Sequence, residues 1–281
     1  MLLRRHWTQT RSSKIALERW QHRDIRDLSA LVSLRRDGVT HILKLTMVSS
    51  EDCPIDYKPN HFYTVEEFLE LNDWLETHEF IVDGIPISHF ERESDGRLVP
   101  MPPVTFEKEA AVGEIFGQLR DWNINTGQKG IPTTSQGGFN FAGAIKAPDV
   151  AFTPWNVYAA LDEQQRRTFL GAHFCPTFTA EVDDLSTTSK LNALTRKFKD
   201  TYFPSGVQLG WLIDPFNKTI YTFMRGSDGV VRRRSHRWYD DDGNARVLTG
   251  GEVLPGFTLK LKKIDYLLSQ VWSCLSLLLQ F

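Results

Sequence analysis

Several residue patterns that mark common catalytic machineries are missing from this chain of 281 residues. Its three cysteines, Cys53, Cys175 and Cys274, lie far apart with no C-x-x-C spacing. That excludes a thiolate zinc cage and a disulfide framework, and suits a reducing, intracellular compartment such as the cytoplasm. Its eight histidines show no H-x-x-x-H or comparable ligand spacing, so a histidine metal site is unsupported. G-x-S-x-G elbows, a P-loop and a G-x-G-x-x-G loop are absent, which removes the usual signs of a serine hydrolase, a P-loop nucleotidase or a dinucleotide-binding enzyme. A formal net charge of −2 gives no global attraction to phosphate, so any nucleic-acid contact must come from a local basic face. Repeats and low-complexity tracts are absent. The apolar carboxy-terminal tail, residues 264–281, is short for a membrane span. A terminal helix packed on the core, or a contact with another chain such as a homodimer partner, explains it better.

What is present points to one α/β domain with decorated ends. A content of 41% hydrophobic and 12% aromatic residues is enough to bury a sizeable core. Residues 1–60 show no sustained period and read as an extension with one helix near 15–31. Arg4, Arg5, Arg11 and Lys14 precede the first acid, Glu18, a composition shared with mitochondrial transit peptides; an unstructured basic extension is the simpler reading.

From Thr64 the pattern sharpens. Thr64 and Glu67 have capping-box spacing, and Phe68, Leu71 and Leu75 follow at helical intervals. Two strands flank the turn Ser94-Asp95-Gly96. Val112, Ile115, Phe116, Leu119 and Trp122 give the stretch 106–123 one apolar helical face. Residues 154–170 read as a helical insertion and 178–182 as a buried strand. A helix capped by Thr188 or Ser189 follows, with Leu191, Leu194, Phe198 and Tyr202 at helical spacing, and Gly206 ends it. Strands at 208–213 and 219–224 complete a β-α-β unit, and a last pair near 229–233 and 255–261 extends the sheet or covers its edge.

Two acids stand inside apolar, β-prone runs: Asp149 in Ala-Pro-Asp-Val-Ala-Phe and Glu181 in Thr-Ala-Glu-Val. Burying both charges costs several kcal/mol each unless compensated, and a divalent cation shared by neighbouring strands is a common compensation. A turn aspartate and a strand-face glutamate are the plainer alternatives.

The run Gly113 to Leu119, the approach Gly143-Ala144-Ile145-Lys146-Ala147-Pro148-Asp149, the strands from Phe90-Glu91 to Met101-Pro102-Pro103, and the stretch Gly206 to Pro215 resemble the Uma-two family of restriction endonucleases, over most of the chain. The resemblance implies the PD-(D/E)XK nuclease fold: a restriction-endonuclease-like mixed β-sheet flanked by helices with an α-β-β-β-α-β core, spanning residues 61–263. It implies a hydrolase, a metal-dependent endonuclease cutting phosphodiester bonds of DNA with Mg²⁺ or Mn²⁺. Asp149 and Glu181 are then the metal-binding acids, and Glu114 a helix acid that contacts the metal through water.

The chain departs from the superfamily pattern at the lysine. Asp183 stands two residues after Glu181, where a cation is expected. Members of the family carry a lysine on the following helix instead, and Lys197, ahead of Tyr202 and Gly206, is the best match, with Lys199 or Lys190 as alternatives. Asp183 also motivates a second reading, a catalytically degenerate nuclease fold acting as a nucleic-acid-binding or protein-interaction module. Arg225, Arg232, Arg233, Arg234, His236 and Arg237 form a basic cluster that either tracks a phosphate backbone or protects an edge strand from aggregation.

Overall fold

The computed structural model describes residues 33–36, 39–42 and 53–278, with side chains described for 53–269. The expected amino-terminal helix and the transit-like segment lie outside these residues. The chain divides into two compact units. One comprises Met1–His61, Glu66–Phe90 and Pro100–Pro103; the other comprises Phe62–Val65, Glu91–Val99 and Val104–Phe281.

The first unit holds the hairpin β1 (Ser33–Arg36) and β2 (Val39–Ile42), most of α1 (Val65–Leu75), and the hairpin β3 (Phe80–Val82) and β4 (Ile85–Ile87). Helix α1 buries Phe68, Leu71 and Leu75, the residues its periodicity marks. The two strands expected around Ser94-Asp95-Gly96 are β5 (His89–Arg92) and β6 (Leu98–Met101).

The second unit is built on α2 (Phe106–Asn125), a helix capped by the Thr105 side chain. There follow β7 (Ile131–Thr134), β8 (Phe139–Phe141), β9 (Ala144–Lys146) and β10 (Val150–Thr153). The insertion forms two short helices, α3 (Trp155–Ala160) and α4 (Glu163–Arg167), and leads to β11 (Phe178–Val182). The crossover is α5 (Thr188–Arg196), a π-helical segment Lys197–Tyr202, and the turn α6 (Phe203–Ser205). The cap of α5 is Thr187, one or two residues earlier than expected, its hydroxyl accepting from the Lys190 N–H. Gly206 ends the crossover at φ 119°, in the left-handed region that favours glycine. The remaining elements are β12 (Leu209–Asp214), β13 (Thr219–Arg225), β14 (Val231–Arg237), β15 (Val247–Thr249), β16 (Thr258–Lys260) and α7 (Leu261–Leu278). Residues 264–278 therefore continue a helix that begins at Leu261.

Six strands form the main sheet in the order β14-β13-β12-β11-β10-β7, with β11 and β12 parallel and every other neighbouring pair antiparallel. A four-stranded sheet has the order β6-β5-β9-β8, and β15 pairs with β16 separately. Side chains alternate across a strand, so each face of the main sheet has its own core. On one face Val150, Phe152, Phe178, Ala180, Val182, Trp211 and Ile213 pack with Val112, Ile115 and Leu119 of α2 and with Leu261, Ile264 and Leu268 of α7. On the other, Ala151, Leu212 and Phe223 meet Phe198, Tyr202 and Phe203 of the crossover and Phe139 and Phe141 of β8. Gly210 makes this approach feasible, because a Cβ there would lie 2.5 Å from the Phe198 ring. Among the described residues no helix is long and apolar enough to cross a membrane.

Candidate functional site

Strand register brings the two sequence-selected acids together. Val150 pairs with Ala180 in the antiparallel β10–β11 ladder, and both point toward α2. One step along, Asp149 stands opposite Glu181, and alternation turns both toward the crossover. Each is only 5% exposed. Asp149 Oδ2 accepts the Val182 N–H at 2.7 Å and lies 3.3 Å from Lys108 Nζ, while Glu181 Oε1 accepts the Tyr202 hydroxyl at 2.5 Å and lies 3.1 Å from Lys197 Nζ. One oxygen of each carboxylate is thus held, and Asp149 Oδ1 and Glu181 Oε2 take no hydrogen bond from any described residue.

The π-helical segment explains how Lys197 and Tyr202 reach the same oxygen. In an α-helix, residues five apart point roughly 140° away from each other. A π turn, with its i→i+5 bonding, brings them close to one face. Lys197 Nζ also lies 5.6 Å over the Tyr202 ring, a cation–π approach that helps fix the ammonium.

A third acid completes the cluster. Glu91, on β5, is also 5% exposed. Its Oε1 accepts Lys197 Nζ at 3.1 Å and the Ala147 N–H at 3.2 Å, and its Oε2 lies 3.4 Å from Lys146 Nζ. Lys146, itself buried, also donates to Glu93 at 2.6 Å. Arg92 pairs with Ile145 in the β5–β9 ladder, which sets Glu91 opposite Lys146. Arg92 locks that arrangement by donating to Gly143 O at 2.5 Å and to Tyr63 O at 3.1 Å.

The electrostatics separate the acids. Burial pushes the Asp149 carboxyl above its ordinary range, against the opposing pull of Lys108, the Val182 N–H and Lys197. Burial likewise raises Glu181; Lys197 counters it, while the Asp149 and Glu91 charges add to the rise. For Glu91 burial also acts upward, but Lys197 and Lys146 outweigh it and hold the carboxyl below its ordinary value. Burial alone would lower Lys197; Glu181 and Glu91 beside it keep the ammonium well above the ordinary lysine range. At Asp149 and Glu181 the lysines therefore only partly offset the cost of burying a carboxylate charge.

Asp149, Glu181 and Lys197 meet in one cluster. Glu114 does not join it: its carboxylate accepts from Gln118 Nε2 at 3.0 Å and faces Lys263 of α7 at 3.9 Å, because Glu114 lies along the side of α2 that α7 covers. Lys108, in the first turns of the same helix, is the residue that reaches Asp149. Lys190 pairs with Asp183 at 3.1 Å, Lys199 is exposed, and neither contacts the acids. Within the basic cluster, Arg232 pairs with Asp228, Arg233 lies over Tyr221 and donates to Thr195, and all three of Arg232, Arg233 and Arg234 are exposed on the edge strand β14. Glu91 and Lys146 were missed, although each carries the signal that singled out Glu181: a charge inside a short apolar strand.

A mixed sheet with helices on both faces, and two carboxylates side by side where a β-α-β crossover covers one of those faces, defines a restriction-endonuclease-like α/β protein. The chain belongs to the Uma2 family, whose model, described as "Putative restriction endonuclease", matches residues 65–262. Among solved structures it is similar to a protein described as "a putative nuclease belonging to DUF820 from Anabaena variabilis ATCC 29413", at 15% identity over 64% of this chain and 91% of that one, with a TM-score of 0.49. No curated protein matches the chain.

Proposed function

We propose that the protein is a metal-dependent endonuclease that hydrolyses phosphodiester bonds of DNA. The observation that carries this reading is the paired placement of Asp149 and Glu181, each with one oxygen anchored and one free of hydrogen bonds. Family membership supports the nuclease class. The donor set fits a hard divalent cation. Among the described residues no three His, Cys, Asp or Glu side chains are grouped to hold a metal, but Mg²⁺ commonly takes only one or two carboxylates, keeping waters and substrate phosphate for its other positions. A cation there would also compensate the charge that burial disfavours on both acids.

Asp149 and Glu181 would hold Mg²⁺ or Mn²⁺. Bound there, the ion would supply Lewis-acid stabilisation of the phosphate and ease deprotonation of a water. Asp149 is oriented by the Val182 N–H and Lys108, and Glu181 by Tyr202 and Lys197. Lys197 places a permanent positive charge beside Glu181, where it orients water or meets charge developing on phosphate. Glu114 is given no part, since its carboxylate is engaged with Gln118. The test is plasmid nicking. Wild-type protein should relax supercoiled DNA with Mg²⁺ and not with EDTA, and Asp149→Ala and Glu181→Ala should each abolish cleavage while remaining folded. Salt-sensitive DNA binding without turnover in Mg²⁺ or Mn²⁺ would instead identify a degenerate binding module.

A further inference from the structure

We propose that Glu91 is a positioning residue: it holds Lys197 against Glu181, and so replaces the strand geometry that a lysine at the Asp183 position would have had. This rests on the endonuclease reading. A lysine two residues after the acid would be aimed by the strand itself. Lys197 instead approaches from a helix on a flexible four-carbon stem, and Glu181 with the less directional Tyr202 ring would leave its ammonium loosely placed. Glu91 supplies a second acceptor at the same distance, 3.1 Å, from another sheet.

The alternative role for a buried glutamate beside the acids is that of a third metal ligand. Its contacts argue against that. Oε1 accepts from Lys197 and the Ala147 N–H, and Oε2 forms an ion pair with Lys146 at 3.4 Å. Unlike Asp149 and Glu181, Glu91 keeps no oxygen free, and both of its oxygens face lysine ammonium groups. Its own placement is fixed by Lys146, which also donates to Glu93 at 2.6 Å.

The test compares wild type, Glu91→Gln, which removes the charge at constant shape, and Glu91→Asp, which keeps the charge on a shorter stem. Single-turnover plasmid cleavage, DNA affinity in EDTA, and Mg²⁺ binding by calorimetry are measured on each. The expected result is a fall in cleavage rate on the order of 100-fold for Glu91→Gln, as for a group misplaced by about an ångström. Glu91→Asp should lie in between, and DNA and Mg²⁺ affinities should stay at the wild-type level. A purely structural role would lower all three together and overturn the proposal. Wild-type cleavage rates in both variants would overturn it, and so would loss of Mg²⁺ binding in Glu91→Gln, which would make Glu91 a ligand. If Glu91→Gln does not fold, Glu91→Asp decides by the same criteria. A wild-type protein that never cleaves would sink the endonuclease reading and this role with it, whereas active wild type with undiminished variants sinks this role alone.

Discussion

Replacing Lys197 by Met keeps most of the aliphatic stem and removes only the ammonium, which isolates the charge at the centre of the cluster. That ammonium lies 3.1 Å from Glu91 and 3.1 Å from Glu181. At an effective dielectric constant of about 20, each contact is worth roughly 5 kcal/mol of gross attraction. Relief of the buried ammonium's desolvation returns part of this, and breaking a buried ion pair typically leaves a net loss of about 3–5 kcal/mol. The loss should depend on pH. Glu91, held below its ordinary value, contributes stability that is present above its unfolded pKa and lost as pH falls through its folded pKa. Once Glu91 and Glu181 are protonated, Lys197 has no partner charge to lose, so the deficit of the variant should vanish in acid, where the cost of the unpaired buried ammonium falls on wild type alone. Urea unfolding is the suitable assay because urea adds no ionic screening. The expected result is a large deficit for Lys197→Met at neutral pH that shrinks toward pH 3. A deficit under about 1 kcal/mol at neutral pH, or one unchanged by acid, would mean that Lys197 does not hold the two glutamates together.

Three further outcomes follow from the same geometry. Asp149→Asn should be more stable than wild type at neutral pH and indistinguishable from it in acid, because the raised Asp149 pKa is a cost that appears as pH climbs past the unfolded value; urea unfolding at several pH values reads it. Gly210→Ala should destabilise by about 1–3 kcal/mol, since the new methyl would lie 2.5 Å from the Phe198 ring, and thermal melting measures the loss. Burial pushes the Cys175 thiol up to about 11, and the thiol donates to Ser205 O at 2.9 Å, so iodoacetamide at pH 8 should alkylate Cys175 in urea and spare it in the native protein.

How much of this was legible in the sequence depended on whether the signal was local. Asp149 and Glu181 stood out because a charge in a short apolar strand is a local contradiction, and strand alternation then set both on one face. The helix after Thr64, the helix read as 106–123 and the strand 178–182 were readable from local period and composition for the same reason. Lys197 was singled out through the family resemblance, yet its meeting with Tyr202 was hidden, because a 3.6-residue period places the two on different faces and only the π turn unites them. Glu91 belongs to a different sheet from Glu181, so no spacing along the chain links them. The partners of Glu114 were hidden because its place on α2 was visible while α7, which engages that side through Lys263, is almost 150 residues away in sequence. The order β15–β16 and its separation from the main sheet likewise depend on contacts between distant segments.

Anomalous diffraction from crystals soaked in Mn²⁺ would reveal whether Asp149 and Glu181 offer their free oxygens to one divalent cation. The expected result is one manganese peak bonded to an oxygen of each carboxylate and lost in Asp149→Ala. A peak bonded to neither residue, or none at saturating Mn²⁺, would contradict it.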